Sequence, residues 1–322
     1  MGDLGNPKYI QQLIQENHFA VQKKYGQNFL VDSNILDGIV RAAEITKDDT
    51  VLEIGPGMGS LTQHLLEAAG RVIAVEVDKM LIPILQENLK GYDNLTLIHG
   101  DILKQDIDAL IYGEKTDGEE TSVANGGKGD GDSEFFSEQA GESGADEGRV
   151  PGKKVKVVAN LPYYITTPIV MELLEKQENI ESITVMVQKE VALRMQEGPG
   201  SKSYGALSLA VQYYSKPEIA MTVSKHCFLP KPDVDSAVIK LDIYAPEERP
   251  VKAKDPEFLF KVIRAAFNQR RKTLVNALAN DAALKMPKEK TAQALAAIGK
   301  PETTRGEALT LSEFAELADE LL

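Results

Sequence analysis

A chain of 322 residues, 43% of them apolar, is long enough to form one large domain and a smaller one. No apolar stretch approaches the length of a membrane span, and the amino terminus lacks a secretory pattern, so we expect a cytoplasmic protein that binds no membrane. The single cysteine, Cys227, excludes an internal disulfide and a multi-cysteine metal site. The four histidines have no metal-ligand spacing, so we expect no bound metal; they are His18, His64, His99 and His226.

The net charge of −13 at first argues against a nucleic-acid partner, because binding to a polyanion draws on positive charge. Residues 112–152 hold 11 acidic and 3 basic residues, and so carry eight of the thirteen net negative charges. The segment is rich in Gly, Ser and acidic residues without apolar periodicity, which predicts a disordered surface insertion. A tolerated loop expansion explains it more simply than a regulatory or binding role, for which Phe135 and Phe136 are a hint.

Strand and helix patterns alternate from residue 29 to residue 196, apart from that insertion. The predicted strands cover residues 50–54, 71–77, 95–101, 155–160 and 182–188. The predicted helices lie within residues 29–45, 59–70, 79–89, 167–177 and 189–196; the first begins at Asp32 or Ser33 as its N-cap and the second is closed by Gly70. Strands that alternate with helices form parallel crossovers, so the predicted fold class is α/β with a doubly wound, Rossmann-like sheet.

The pattern changes towards the carboxyl end. Residues 216–224 and 234–244 lie close together in the chain and predict a terminal antiparallel strand pair. Three helices are predicted after Tyr244, over residues 256–280, 288–299 and 310–322, and Thr310 with Glu313 forms a capping box for the last. We therefore predict one domain over residues 1–244 and a small all-helical carboxy-terminal domain over residues 245–322.

A glycine-rich loop, EIGPGMGS, joins the first predicted strand of the sheet to the following helix. Gly55, Gly57 and Gly59 would let backbone N–H groups approach a ligand at the amino end of that helix. The dinucleotide fingerprint requires its third glycine one position later, where this chain has Ser60. A dinucleotide is therefore a poor fit to this loop.

Acidic residues end the next two strands. Glu76 ends the second strand, where a carboxylate can accept both hydroxyls of a ribose, and Asp101 ends the third, where it can accept from an adenine amino group. Either residue alone could equally cap a helix or lie in solvent. Their recurrence beside the glycine loop favours an adenosine without phosphates, which fits S-adenosylmethionine better than a dinucleotide.

The fourth strand ends in Asn160-Leu161-Pro162-Tyr163, which would bring an amide oxygen, a carbonyl and an aromatic ring to the same edge. Pro162 pushes Leu161 into an extended conformation and so fixes the direction of its carbonyl. Two acceptors at one point would orient the exocyclic amine of a nucleobase, and Tyr163 would stack on the base. The alternative is a turn closed by Asn and Pro with the tyrosines in the core.

The ordered motifs of the chain resemble those of the small-subunit (16S) ribosomal RNA adenine N6,N6-dimethyltransferases. The resemblance covers nearly the whole chain except the insertion, and its motifs are KKYGQNFLVD, VLEIGPGMGSLT, VIAVEVD, GDIL, VVANLPYYITTPIV, VQKEVALRM, SYGALSLAVQYY, FLPKPDVDSAVIKL and FNQRRKTL. It implies a Rossmann-like methyltransferase domain that transfers methyl groups from S-adenosylmethionine to N6 of adjacent adenosines. The implied partner is small-subunit rRNA in an assembling ribosomal particle, and a monomer is expected.

The resemblance also implies roles for individual residues. The residues that would bind the cofactor are Gln27, Asn28, Leu30, Gly55, Gly57, Gly59, Glu76, Asp101 and Asn160. The residues that would bind the target adenosine are Asn160, Leu161, Pro162, Tyr163 and Phe228, and Phe228 would stack on the other face of the base.

Other functions remain open at this point. Large-subunit rRNA methyltransferases that confer macrolide resistance share much of the pattern, although they usually carry isoleucine where this chain has Leu161. An assembly factor whose binding matters more than its catalysis is a further alternative, and a nicotinamide oxidoreductase is the weakest. A mostly basic set of residues would position RNA through its phosphates, or form a solvated helix face: Arg264, Asn268, Arg271 and Lys272 on one predicted helix stripe, with Lys23 and Lys24.

Overall fold

The computed structural model describes residues 2–17, 19, 22, 25–112, 154–175 and 177–322. Apart from Tyr112, the predicted insertion over residues 112–152 lies outside the described residues, and so do Lys23 and Lys24. Within those described ranges, no helix combines the length and the apolar character that crossing a bilayer requires.

Helices and strands alternate through most of the chain. Up to residue 112 they are α1 (Pro7–Glu16), β1 (Phe29–Leu30), α2 (Ser33–Ala42), β2 (Thr50–Ile54), α3 (Ser60–Ala68), β3 (Arg71–Glu76), α4 (Ile82–Leu89), β4 (Leu95–His99) and α5 (Ile107–Tyr112). From residue 155 they are β5 (Val155–Asn160), α6 (Thr166–Glu175), β6 (Ile180–Gln188), α7 (Lys189–Gln196), α8 (Ala206–Tyr214), β7 (Ser215–Val223), β8 (Phe228–Leu229), β9 (Ser236–Ile243), α9 (Pro256–Asn268), α10 (Leu274–Asn280), α11 (Lys288–Ala297) and α12 (Leu311–Leu321).

The main sheet has seven strands in the order β4-β3-β2-β5-β6-β9-β7. The strands β4, β3, β2, β5 and β6 pair in parallel, and they are almost continuously apolar because helices cover both faces. The chain runs outward from β2 to β4 and in the other direction from β5 to β6, which confirms the predicted doubly wound fold. The order reverses between β2 and β5, and ligands of such sheets bind at the carboxyl edge of that point.

Two compact units divide the chain. The first contains Met1–Gln188 and Ala220–Lys240, and the second contains Lys189–Ile219 and Leu241–Leu322. This division differs from the predicted boundary after Tyr244, because residues 189–219 belong to the second unit. In that unit an aromatic cluster joins α8 to α9, where the ring of Phe260 stacks on Tyr214 and meets Tyr213 edge-on.

One predicted helix of the second unit is wrong in its extent. The apolar pattern continues from residue 256 to residue 280, but α9 ends at Asn268 and α10 begins at Leu274. Arg270 holds the intervening turn by donating to the Ser201 carbonyl at 3.1 Å and to Glu307 at 3.2 Å. Arg271 and Lys272 therefore lie in a turn, and the predicted stripe does not continue beyond Asn268.

Several predicted helix ends are confirmed by their hydrogen bonds. Asp32 caps α2 by accepting from the N–H groups of Asn34 and Ile35. Thr310 and Glu313 form the predicted capping box of α12. A short antiparallel sheet between β1 and β8, with Leu30 opposite Phe228, was not predicted because two-residue strands carry no periodic signal.

Candidate active site

The carboxyl ends of β2, β3, β4 and β5 border a cavity of about 280 Å³ within the first compact unit. Of the residues predicted for the two sites, the cavity wall contains Gln27, Asn28, Leu30, Gly55, Gly57, Glu76, Asp101, Asn160, Leu161, Pro162 and Tyr163. Residues separated by more than 130 positions in the sequence therefore meet at one edge of the sheet, where the strand order reverses.

The glycine loop forms the cavity wall next to β2. Gly55 and Gly57 have φ values of 70° and 63°, a region in which other residues are strained. A Cβ on Gly57 would approach the ring of Phe29 to 3.1 Å, so glycine lets the loop and β1 lie close together. The third glycine, Gly59, is the N-cap of α3 and does not belong to the cavity wall.

Two buried carboxyl groups lie beside this loop. Glu76 accepts from the N–H of Gly57 at 3.1 Å and from the N–H of Asp78 at 2.8 Å. Burial raises the pKa of Glu76 to about 7, although these backbone N–H groups favour the ionised form. Burial likewise raises the pKa of Glu53 to about 8; the Thr62 hydroxyl opposes the rise and the Glu76 charge adds to it.

Of these two carboxyl groups, Glu53 is the one with a buried oxygen that lacks a hydrogen-bond partner in the part of the chain that the structure describes. Its Oε2 atom has no hydrogen-bond partner among the described residues, and neither has the Thr62 hydroxyl, which lies near it outside hydrogen-bonding geometry. Glu53 is also part of the cavity wall, and its side chain is 99% buried. A cationic or hydrogen-bond-donating group placed beside Glu53 Oε2 would therefore satisfy a buried oxygen that has no partner in the described part of the protein.

Asp101 lies at the carboxyl end of β4 and faces the cavity. One carboxylate oxygen accepts from the N–H of Leu103 at 3.1 Å and caps the short 3₁₀ turn that follows. The cap uses only Oδ1, so Asp101 can cap this turn and still accept a hydrogen bond from a ligand through its other carboxylate oxygen. The exposed ring of Tyr164 is nearby, and partial burial together with the Asp101 charge raises the pKa of its hydroxyl.

Asn160 ends β5 at the cavity, as predicted. Its Nδ2 donates to the main-chain carbonyl of Asn28 at 3.1 Å, which leaves Oδ1 as the acceptor of the amide. Leu161 is buried and its N–H donates to the Met186 carbonyl at 3.1 Å, so the backbone is held where it leaves the sheet. The Tyr163 hydroxyl is bonded to the Ser236 hydroxyl at 2.8 Å, and burial raises its pKa.

An amino-terminal strap is defined here as Gln22 and residues 25–30, and its residues 25–30 belong to the cavity wall. Gly26, with φ 58°, packs against Tyr164 and Pro162, and a Cβ there would approach the Tyr164 ring to 3.1 Å. Leu30 continues the strap into β1 and its pairing with β8. The strap thus touches both the glycine loop, through Phe29, and the Asn160–Tyr163 segment.

Phe228, like Gly59, lies outside the cavity wall. It pairs with Leu30 in the two-stranded sheet, but its side chain is buried in the hydrophobic core and does not belong to the cavity wall. The predicted stacking of this ring on a target base therefore has no support from its position and stays a prediction.

Sequence reasoning missed two residues of the cavity wall, Glu53 and Tyr164, and the buried Asp78, which lies two residues beyond Glu76. All three lie inside motifs that carry the family resemblance, and Glu53 carries the further signal of an acid within an apolar strand. Asp78 gave no such signal, because an acid before a helix is usually read as a cap. In the described part of the chain, no group of three or more potential ligand side chains could hold a metal ion.

Comparison with known proteins agrees with this geometry. The family described as ribosomal RNA adenine dimethylase matches residues 18–317. The ribosomal RNA small subunit methyltransferase A of Lachnoclostridium phytofermentans is 52% identical over 320 residues, covering 99% of this chain and 98% of the relative.

Two solved structures support the fold at lower identity. A dimethyladenosine transferase from Plasmodium falciparum has a TM-score of 0.61 and 24% identity, covering 89% of this chain and 94% of that chain. The 23S rRNA methyltransferase ErmE has a TM-score of 0.58 and 24% identity, covering 91% of this chain and 99% of that chain. From the match over residues 18–317 and the 52% identity along its full length, the chain belongs to the ribosomal RNA adenine dimethylase family.

Proposed function

We infer that this protein is an S-adenosylmethionine-dependent rRNA adenine N6,N6-dimethyltransferase that acts on small-subunit (16S) rRNA. The relative from Lachnoclostridium phytofermentans carries the name of a small-subunit enzyme, and the family is named for adenine dimethylation. The observation that carries the inference to this chain is the position of the Asn160 amide in the same cavity wall as Glu76 and Asp101. One cavity thus offers acceptors for a ribose, for an adenine and for the amine of a target base.

The residues of the cavity fit the cofactor. We propose that Glu76 accepts the ribose hydroxyls, Asp101 accepts from the adenine amino group and the glycine loop meets the methionine end. Gly55 supports this reading, since it belongs to the cavity wall and a Cβ there would meet no protein atom within 4 Å, so the backbone of the loop is open to a ligand. Asn28, Leu30 and Asn160 would complete the cofactor site from the strap and from β5. When bound, the cofactor supplies an electrophilic methyl group on a sulfonium centre.

The protein's own contribution to the reaction is the orientation of the target amine. The lone pair of an adenine N6 is delocalised into the ring, so the free amine is a weak nucleophile. Acceptance of its N–H groups by Asn160 Oδ1 and the Leu161 carbonyl favours a pyramidal nitrogen whose lone pair faces the methyl donor. The nitrogen would form the new N–C bond as the carbon–sulfur bond of the donor breaks and leaves a neutral thioether. The resulting ammonium would lose its proton to water without a general base.

Dimethylation adds a requirement to the same site. After the first transfer the amine has one N–H left, so it must rotate and place its methyl group where an N–H was. Tyr163 would stack on the base through both rounds, because its hydroxyl is tied to Ser236 and its ring is therefore fixed.

Finer aspects of the function follow from the substrate. We propose that the enzyme acts as a monomer in the cytoplasm on adjacent adenosines of an assembling small subunit, without a metal. A net acidic protein with scattered basic residues is suited to a shaped site in a particle rather than to tight binding of any RNA.

The large-subunit alternative rests on a shared fold. The structural likeness to ErmE has 24% identity, whereas the 52% identical relative is named for the small subunit. The small-subunit function is therefore the better supported of the two.

The decisive experiment incubates the protein with labelled cofactor and with undermethylated small or large ribosomal subunits, followed by nucleoside analysis. We expect labelled N6,N6-dimethyladenosine in the small subunit. Label in the large subunit alone would support the alternative, and no label in either subunit would contradict both enzyme functions.

A further inference from the structure

Asp78 is a buried carboxylate two residues beyond Glu76, and it has no role in the function described so far. Its exposed fraction is 2%. It accepts from Gln27 Nε2 at 2.8 Å, from Gln22 Nε2 at 3.2 Å and from the Met80 N–H at 3.1 Å. Two of these three donors belong to the strap, more than 50 residues away in the sequence. Asp78 is therefore the point at which the strap is fixed to the end of β3.

Gln27 completes this attachment. Its Oε1 accepts from the Gln22 N–H at 2.7 Å, while its Nε2 donates to Asp78. Both polar atoms of the side chain thus have protein partners, and they tie the strap to itself and to Asp78. The family resemblance implied a cofactor contact for Gln27, but these bonds indicate that its amide group holds the strap.

The strap in turn determines how the Asn160 amide is oriented. The main-chain carbonyl of Asn28 accepts from Asn160 Nδ2 at 3.1 Å, and the Asn28 side chain donates to the Gly26 carbonyl at 3.0 Å. Gly26 rests on Tyr164 and Pro162. A displaced strap would remove the only partner that the described residues give Nδ2, and the amide could then turn its nitrogen into the cavity.

We propose that Asp78 is a positioning residue for methyl transfer: it fixes the strap so that the Asn28 carbonyl keeps the Asn160 oxygen directed at the target amine. The proposal rests on the proposed function. Asp78 touches neither the target base nor the methyl donor in this mechanism. It acts through Gln27, Asn28 and Asn160, and small displacements of such groups reduce turnover strongly.

The test is a pair of substitutions and their combination. Asp78→Asn puts an N–H₂ group against the glutamine amides, and Gln27→Glu puts a carboxylate against Asp78. In the double variant an Asn amide can donate to a Glu carboxylate, so the bond returns with its direction reversed. We expect each single variant to lower kcat at saturating cofactor by about 10-fold or more, and the double variant to recover most of it.

A second measurement, hydrogen exchange, does not depend on methyl transfer. The Gln22 N–H donates to Gln27 Oε1, so its hydrogen exchange reports whether the strap is held. We expect faster exchange at Gln22 in both single variants and restored protection in the double variant. Asp106→Asn is the matched control, because Asp106 caps α5 by accepting from two backbone N–H groups and lies outside the cavity wall.

The outcomes separate the two proposals. If the wild-type protein methylates small subunits and Asp78→Asn keeps its kcat, the positioning role is wrong. It is also wrong if kcat falls in the single variants, exchange at Gln22 stays slow and the double variant recovers nothing. If the wild-type protein methylates no subunit, the proposed function fails, while the exchange measurement still decides whether Asp78 holds the strap.

Discussion

At the scale of single residues, the site combines buried acidic groups with one amide whose orientation is fixed. Glu53 and Glu76 both belong to the cavity wall and burial raises the pKa of each, while Asn160 is held by the Asn28 carbonyl. Perturbed carboxyl groups in a cavity are typical of functional sites, because burial that serves no ligand only destabilises a protein. Asn160 and Glu76 each lead to a separate testable prediction.

The first prediction concerns Asn160. We expect Asn160→Ala to lower methyl transfer to small subunits by about 100-fold or more, because the amine loses an acceptor that acts in the transition state. Cosedimentation with small subunits should be unchanged. Asn179→Ala is the control, since Asn179 bonds Asp108 and Tyr112 outside the cavity wall. If the variant matured subunits normally without methylating them, binding rather than catalysis would be the main function.

A second prediction follows from the pKa of Glu76. The raised pKa, about 7, means that the carboxylate is ionised only as the pH passes through neutrality. An ionised carboxylate accepts both ribose hydroxyls, so affinity should rise with pH between about 6 and 8, and one unit below the pKa it should be about tenfold weaker than at its plateau.

The suitable probe is 5′-methylthioadenosine, which keeps the adenine and ribose and has no titrating amino-acid group. Calorimetry across this pH range should show the rise in the wild type and a flat, weaker response in Glu76→Gln. Glu53→Gln should keep the rise, because it leaves Glu76 in place. A pH-independent affinity in the wild-type protein would contradict the assignment of the ribose to Glu76.

At the scale of elements, a buried ion pair fixes the amino ends of the strands opposite the site. Lys156, at the start of β5, donates to Asp49 at 3.1 Å and to the Glu44 carbonyl at 2.7 Å. Both charged side chains are about nine-tenths buried. Because β5 carries Asn160 at its other end and Asp49 directly precedes β2, this pair sets the register of the two strands that flank the site.

Lys156→Met tests this role. Removal of one partner leaves a buried charge, so we expect a loss of about 3 kcal/mol in the free energy of unfolding, measured in urea. Lys90→Met breaks an exposed i,i+3 pair with Glu87 and should cost less than about 0.5 kcal/mol. Equal, small losses in both variants would show that the buried pair does not stabilise the sheet.

Some of the helices and strands could be predicted from the sequence and others could not. The parallel strands were predictable because each is a short, mostly apolar run, and β2, β3 and β5 end in the glycine loop, Glu76 and Asn160. The break between Asn268 and Leu274 was not, since the apolar pattern continues across it while Arg270 bonds to distant residues. The attachment of the strap to Asp78 was likewise out of reach, because no local pattern identifies partners more than 50 residues apart.

At the scale of the whole molecule, charge is unevenly distributed along the chain. Residues 112–152 carry eight of the thirteen net negative charges, although the substrate is itself a polyanion. The site residues on either side of this segment, Asp101 and Asn160, lie in one cavity wall. An acidic segment between them should oppose the approach of RNA by long-range repulsion that salt screens.

Replacement of residues 113–152 by a short neutral linker tests this effect. We expect stronger binding to small subunits at low ionic strength, and a difference from the wild type that shrinks as salt is added. A variant of unchanged length with its Asp and Glu replaced by Asn and Gln should behave in the same way. If only the shortened variant bound more strongly, bulk rather than charge would be responsible.

The hydrogen bond between Asn160 and position 28 involves a main-chain oxygen of that residue. Every amino acid supplies that atom, so an alanine scan would pass over position 28 as an acceptor even though the amide of Asn160 depends on it. Replacing the peptide bond that contains this carbonyl by an ester would weaken the oxygen as an acceptor, and so would test its hydrogen bond to Asn160. The side chain at position 28 affects this bond only indirectly, through its donation to the Gly26 carbonyl within the same strap.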